Sequence, residues 1–123
     1  MNLIKCFLIC FLIIFLNSCD TYSTLWIENN TNNKIKIIST ESIPINDNFK
    51  IIQESNNKFI YELNPLTEHQ LFGIVNESIT KENIPFDRLT LINLEDTILL
   101  NNRSEIFEAM VKNATDYYSI IVE

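Results

Sequence analysis

Cys19, His69 and the adjacent acids Glu95 and Asp96 are the side chains in this chain with the most chemical capacity, and the surrounding sequence limits each of them. His69 is the only histidine. As an acid–base group it needs a nucleophile and an orienting carboxylate. Glu68 adjoins it, but neighbours on a strand point to opposite faces. His69 therefore reads as a hydrogen-bonded surface residue. One histidine with carboxylates alone does not make a zinc site. Glu95-Asp96 lacks the spacing of a calcium loop and reads as a turn. Gly73 is the only glycine, which excludes glycine-rich phosphate loops. Trp26, Tyr117 and Tyr118, with Tyr22, are candidates for an aromatic binding patch, although alternation sends Tyr117 and Tyr118 to opposite faces. No catalytic residue, metal site or cofactor is expected, and the chain reads as a non-enzyme.

Cys19 is the exception, because of its position. Every residue from Cys6 to Leu16 is apolar, and Lys5 is the only charge ahead of that run. As a helix the run measures about 16 Å, against the roughly 30 Å of a bilayer core. It is too short to span and matches the apolar segment of a signal peptide. Leu16-Asn17-Ser18-Cys19 then resembles a bacterial lipobox, with Leu16, Asn17 and Ser18 as the signal-peptidase recognition residues. Asn17 departs from the small or β-branched residue usual at its position. The resemblance implies cleavage before Cys19, lipid on its thiol and a membrane partner held through that lipid. The implied organisation is a signal peptide over 1–18, a lipidated cysteine and tether over 19–24, and one domain over 25–123. Residues 19–123, 105 in all, suffice for a single core.

Charge narrows the partners. The chain carries net −7, and loss of Lys5 with the leader makes it −8. That balance argues against nucleic acid, which rewards Lys and Arg, and against a surface lying flat on anionic lipid. Cys6 and Cys10 leave with the leader and Cys19 is consumed by lipid, so no disulfide is expected. With glycine nearly absent, asparagine is the next residue tolerant of positive φ. The pairs Asn29-Asn30, Asn32-Asn33, Asn56-Asn57 and Asn101-Asn102 accordingly read as turns.

Between those turns the apolar pattern has period two. It predicts strands at 25–28, 34–38, 49–53, 59–63, 68–74, 86–94, 97–100 and 117–122, the first two forming a hairpin. Asn102 followed by Glu105 resembles a capping box, which predicts one helix near 102–112. About eight short strands in this order indicate a mainly β fold, a small antiparallel β-sandwich or barrel.

The Asn-Asn-Thr connection, the Leu-Asn-Pro turn at 63–65, the Phe-Asp-Arg-Leu-Thr-Leu segment at 86–91 and the aromatic last strand complete the resemblance. The chain is similar to small β-rich lipoproteins of Bacteroidota, a group with no catalytic motif to transfer. The expectation is a lipid-anchored envelope protein that acts as a binding or accessory module for an envelope protein partner. The alternative is an inhibitor or immunity lipoprotein that neutralises a basic enzyme by charge complementarity. Asp20 without an acidic run, on a tether reaching at most about 17 Å, points to the periplasmic side.

Overall fold

The computed structural model describes residues 2–16, 21–94 and 96–123. Among the described residues helix α1 (Asn2–Leu16) precedes nine strands, with a second helix between the seventh and eighth. The strands are β1 (Tyr22–Asn29), β2 (Ile35–Ser39), β3 (Phe49–Ser55), β4 (Lys58–Leu63), β5 (Thr67–Val75), β6 (Leu89–Ile92), β7 (Thr97–Leu100), β8 (Val111–Ala114) and β9 (Tyr117–Val122), and α2 is Arg103–Ala109. They form a four-stranded sheet of order β5-β1-β9-β8 and a five-stranded sheet of order β3-β4-β2-β6-β7. Among the described residues neither sheet closes into a barrel. All pairings are antiparallel except that of β1 with β9.

The two sheets share one core because each strand turns alternate residues inward. Leu25 and Ile27 of β1, Leu71 of β5, and Ile120 and Val122 of β9 meet Ile35, Ile37, Phe49, Tyr61, Leu63, Leu89 and Leu91 of the five-stranded sheet. The core cluster extends from Leu25 to Val122 and, among the described side chains, includes none from α1. Among those side chains, the core is built from residues of the two sheets, their connections and the second helix. The apolar side chains Leu3, Ile4, Phe7 and Leu8 of α1 are exposed. No helix among the described residues is long and apolar enough to cross a membrane.

Several elements differ from the sequence reading. The predicted hairpin of β1 and β2 is absent, because the two strands lie in different sheets. Asn29 makes the crossing. Its side chain is fully buried, and its Nδ2 donates to the carbonyls of Asn33 (2.8 Å), Leu63 (3.3 Å) and Asn64 (3.0 Å). Its Oδ1 accepts from the Thr31 amide and hydroxyl at 3.0 and 2.6 Å. The amide thus ties the end of one sheet to the end of the other. The helix stops at Ala109, since Met110 is extended (φ −72°, ψ 135°). Val111 and Lys112 instead begin β8, a ninth strand, which gains a ladder with β9 that the helix could not supply. The capping residues behave as expected: Asn102 Oδ1 accepts from the Glu105 amide at 2.9 Å. Within 86–94 only Leu89–Ile92 is strand, although Phe86 is buried in the connection before it. Strand β1 starts at Tyr22, so Tyr22, Ser23 and Thr24 belong to the sheet and not to a tether.

Asparagine does take positive φ, at Asn57 (57°) and Asn76 (61°), along with Asp116 (62°) and Leu66 (55°). Leu66 follows Pro65 in the turn from β4 to β5, where a β-carbon is strained; its side chain is 70 % exposed.

Candidate functional site

The outer side of the four-stranded sheet brings the half-buried rings of Trp26 and Tyr117 together with Glu28 and Glu68. Register sets its composition. Thr24 lies beside Tyr117, Trp26 beside Ser119 and Glu28 beside Ile121 in the parallel β1–β9 ladder. On the other flank of β1, Trp26 faces Gln70 and Glu28 faces Glu68. A bulge between Leu25 and Trp26 keeps both Leu71 and Phe72 of β5 on the core side. Trp26 and Tyr117 meet at 5.7 Å between centroids, tilted by 41°. The Trp26 indole N–H donates to Thr24 Oγ1 at 2.9 Å, which fixes the ring.

Glu28 and Glu68 are direct cross-strand partners, and like charges so placed repel. The structure contains that repulsion with hydroxyl donors. Tyr117 donates to Glu68 Oε2 at 2.9 Å, and Ser119 donates to Glu28 Oε1 at 3.1 Å. Asn113 Nδ2 donates in turn to Ser119 Oγ. Burial raises the Tyr117 phenol above its usual range, with a further rise from the hydrogen bond and negative charge of Glu68 and the charge of Glu28. Tyr117 therefore stays a donor at neutral pH. A depression of about 290 Å³ lies beside the pair, lined by Glu28, Asn30, Leu66, Thr67 and Glu68. Among the described residues, the register of β5, β1, β9 and β8 turns no lysine or arginine to this side.

A β-carbon at Gly73 would meet the hydroxyl end of Tyr22, and that exposed ring would have to swing aside. The ring of Tyr22 thus lies over the bare backbone of β5, and its hydroxyl accepts from Gln70 Nε2 at 2.9 Å. A glycine inside a strand signals a close approach of this kind.

Of the residues singled out in the sequence, Trp26 and Tyr117 come together and Tyr118 does not. Tyr118 pairs with Leu25 on the inner side and packs against the core. Tyr22 lies on the same side, over Gly73, whereas the sequence reading did not assign Glu28 and Glu68 to this face. Alternation from Trp26 reaches Glu28, but only the long-range register brings Glu68 opposite it. Asn17, Ser18 and Cys19 lie outside the described residues, and Leu16 is the last residue of α1. Cys6 and Cys10 are exposed on that helix. Glu95 is also outside, while the Asp96 carbonyl accepts from the Asn93 amide in the turn.

His69 is not a surface residue: it is 6 % exposed. Its ring stacks on Phe49 at 4.0 Å, and Phe49 stacks on Tyr61 at 4.7 Å. Nε2 meets the Pro44 carbonyl at 2.6 Å, and Nδ1 meets Asn46 Nδ2 at 3.2 Å. A carbonyl only accepts, so the proton sits on Nε2 and Nδ1 accepts from Asn46. Burial lowers the His69 pKa, opposed by the Pro44 bond. Tyr61 Oη accepts from the Ile43 amide at 2.7 Å. Both rings pin the connection between β2 and β3, which is a structural role. Among the described residues no group of three or more His, Cys, Asp or Glu converges as metal ligands would.

No family model, no characterised protein and no solved structure matches this chain.

Proposed function

We propose that the chain is a lipid-anchored, non-catalytic binding module of the bacterial envelope. On this reading it is held through Cys19, faces the periplasm and recognises an envelope protein through the outer side of its four-stranded sheet. The opposed carboxylates Glu28 and Glu68 beside Trp26 and Tyr117 carry the reading. The arrangement costs repulsion and leaves aromatic surface accessible, and a cationic partner offsets both. Aromatic rings with few rotatable bonds suit a binding centre, and the acids steer a basic partner. The lipobox-like residues and a β1 that starts at Tyr22 support an anchor held close to the domain.

Two experiments test it. Metabolic labelling with a palmitate analogue should mark the wild type and not Cys19→Ala; equal labelling of both sinks the anchor. Pull-down with residues 21–123 should retain a partner that Trp26→Ala and Glu28→Gln/Glu68→Gln both release. A partner retained by both variants removes this face from the reading. The face also supports a second reading, an inhibitor of a basic enzyme, because its charges are all of one sign. A stoichiometric, salt-sensitive complex that silences one basic enzyme would select it.

A further inference from the structure

The outer side of the five-stranded sheet has the opposite charge. Alternation along β2, β3 and β4 turns Lys36, Lys50 and Lys58 outward, and Lys34 and Arg88 flank β2 and β6 on the same side. Glu62 is the one carboxylate that the register adds to this side among the described residues, and Lys34 pairs with it at 3.2 Å. Five cations thus gather on one side of a chain whose net charge is −7. The acidic total hides this segregation, since a total carries no information about faces.

Within that side lies a groove of about 320 Å³, lined by Ile38, Thr40, Asn57, Lys58, Arg88 and Thr90 among others. Among the described residues, its cations are not spent on protein carboxylates. Among the described residues the ion pairs are Lys34 with Glu62 and Arg103 with Asp87, and neither includes Lys58 or Arg88. Asp87 adjoins Arg88 in sequence, but its carboxylate is held by Arg103 at 3.3 Å. Thr40 Oγ1 accepts from the Asp87 amide at 3.1 Å, which leaves its proton to donate. Asn57 is placed at the groove by its positive φ of 57° in the β3–β4 turn.

We propose that this groove binds a phosphate group, carried either on a lipid headgroup or on a free phosphate ester. An ammonium, a guanidinium, two hydroxyls and an amide offer more donors than the two oxygens of a carboxylate accept, whereas a phosphate presents a full set of acceptor oxygens. Arg88 supplies the planar fork suited to phosphate and Lys58 the point charge. Ile38 gives the carbon skeleton next to the phosphate an apolar wall. With the anchor proposed above at Cys19, the location fits a ligand at a membrane surface. Asn29 at one end of β1 meets Leu63 and Asn64, while Phe72, the ladder partner of Leu25, meets Phe86 edge-on at 5.9 Å, so the Tyr22 half of β1 lies toward the end of the five-stranded sheet that holds the Asn57 turn and Arg88. The proposal does not require lipid on Cys19.

Residues 21–123, which lack Cys19, are the protein to use, so that no acyl chain contributes. In one arm, glycerol phosphate is titrated at low salt while amide shifts are followed by NMR. In the other, co-flotation is measured with phosphatidylcholine vesicles with and without phosphatidylglycerol. Saturable shifts at Thr40, Lys58, Arg88 and Thr90 would identify a free ester as sufficient. Binding only to the phosphatidylglycerol vesicles would identify the headgroup in its bilayer. In either arm Lys58→Gln/Arg88→Gln should weaken binding. At a bilayer each cation contributes about fivefold, so the pair should cost about thirtyfold. Lys36→Gln/Lys50→Gln removes equal charge from the same side outside the groove and should cost clearly less. No binding in either arm, or equal losses in the two double variants, overturns the groove as a site. All four side chains are exposed, and unchanged circular dichroism would confirm that each variant is folded.

Discussion

Asn29 offers the sharpest test of how this fold is held. Asn29→Ala removes a buried amide that contacts three carbonyls and accepts two bonds from Thr31. The amide has two hydrogens, so the three carbonyl contacts amount to two donated bonds with one shared. With two accepted bonds the total is four, each contributing about 1 kcal/mol net. The Leu63 carbonyl also loses a partner in a buried setting. We expect a loss of about 3–4 kcal/mol, a large part of the roughly 5–15 kcal/mol available to a domain of this size. That corresponds to a fall in Tm of about 15 °C or more. Trp26 is the only tryptophan and lies three residues away, so its fluorescence reports urea unfolding directly. Asn29→Asp separates hydrogen bonding from packing. It keeps the shape and the Thr31 acceptor but turns the donor into an oxygen facing three carbonyls. Its carboxyl pKa should be raised by burial and by those dipoles. The sign follows: stability is fullest below the unfolded carboxyl pKa and is lost as pH rises through the folded value. A loss below about 1 kcal/mol in Asn29→Ala, or an Asn29→Asp variant whose stability relative to wild type ignores pH, would refute the clamp.

Three further outcomes are expected. His69 has a lowered pKa, so the unfolded chain binds the proton more readily; stability should fall as pH drops below about 6.5, and the urea midpoint of His69→Gln should show a smaller slope there than wild type. Tyr61→Phe leaves the Ile43 amide without its acceptor and should cost about 1–3 kcal/mol in urea unfolding, with unchanged binding by the aromatic face. Tyr117 should ionise above the usual tyrosine value in an ultraviolet pH titration, and Glu68→Gln should bring it down, because burial, the Glu68 bond and the Glu68 charge raise it in that order; an unmoved titration would place the Tyr117 hydroxyl away from Glu68.

Local sequence sets where eight of the nine described strands lie and which side of them is apolar. Period-two alternation is a local property: Ile35 and Ile37, Phe59, Tyr61 and Leu63, and Leu89 and Leu91 are all inward where their spacing put them. It also placed the helix start, because an Asn102 cap acts on an amide three residues away. Tertiary structure decided who pairs with whom. Asn29 to Asn33 has the composition of a hairpin turn, yet the Asn29 side chain reaches Leu63 and Asn64, more than thirty residues on, and that reach sends β2 to the other sheet. The helical spacing of Ile106, Phe107 and Met110 is satisfied by core packing, while β8 is claimed by an open edge of β9 that local sequence does not contain. Both faces follow the same rule. Trp26 and Glu28 share a side by alternation, but Glu68 and Tyr117 join them only through register across three strands. Net charge is additive along the chain and is therefore readable from composition. Its division into an acidic aromatic side and a cationic side arises only when the sheets fold, because each strand contributes every second residue to a face whose other members come from distant segments.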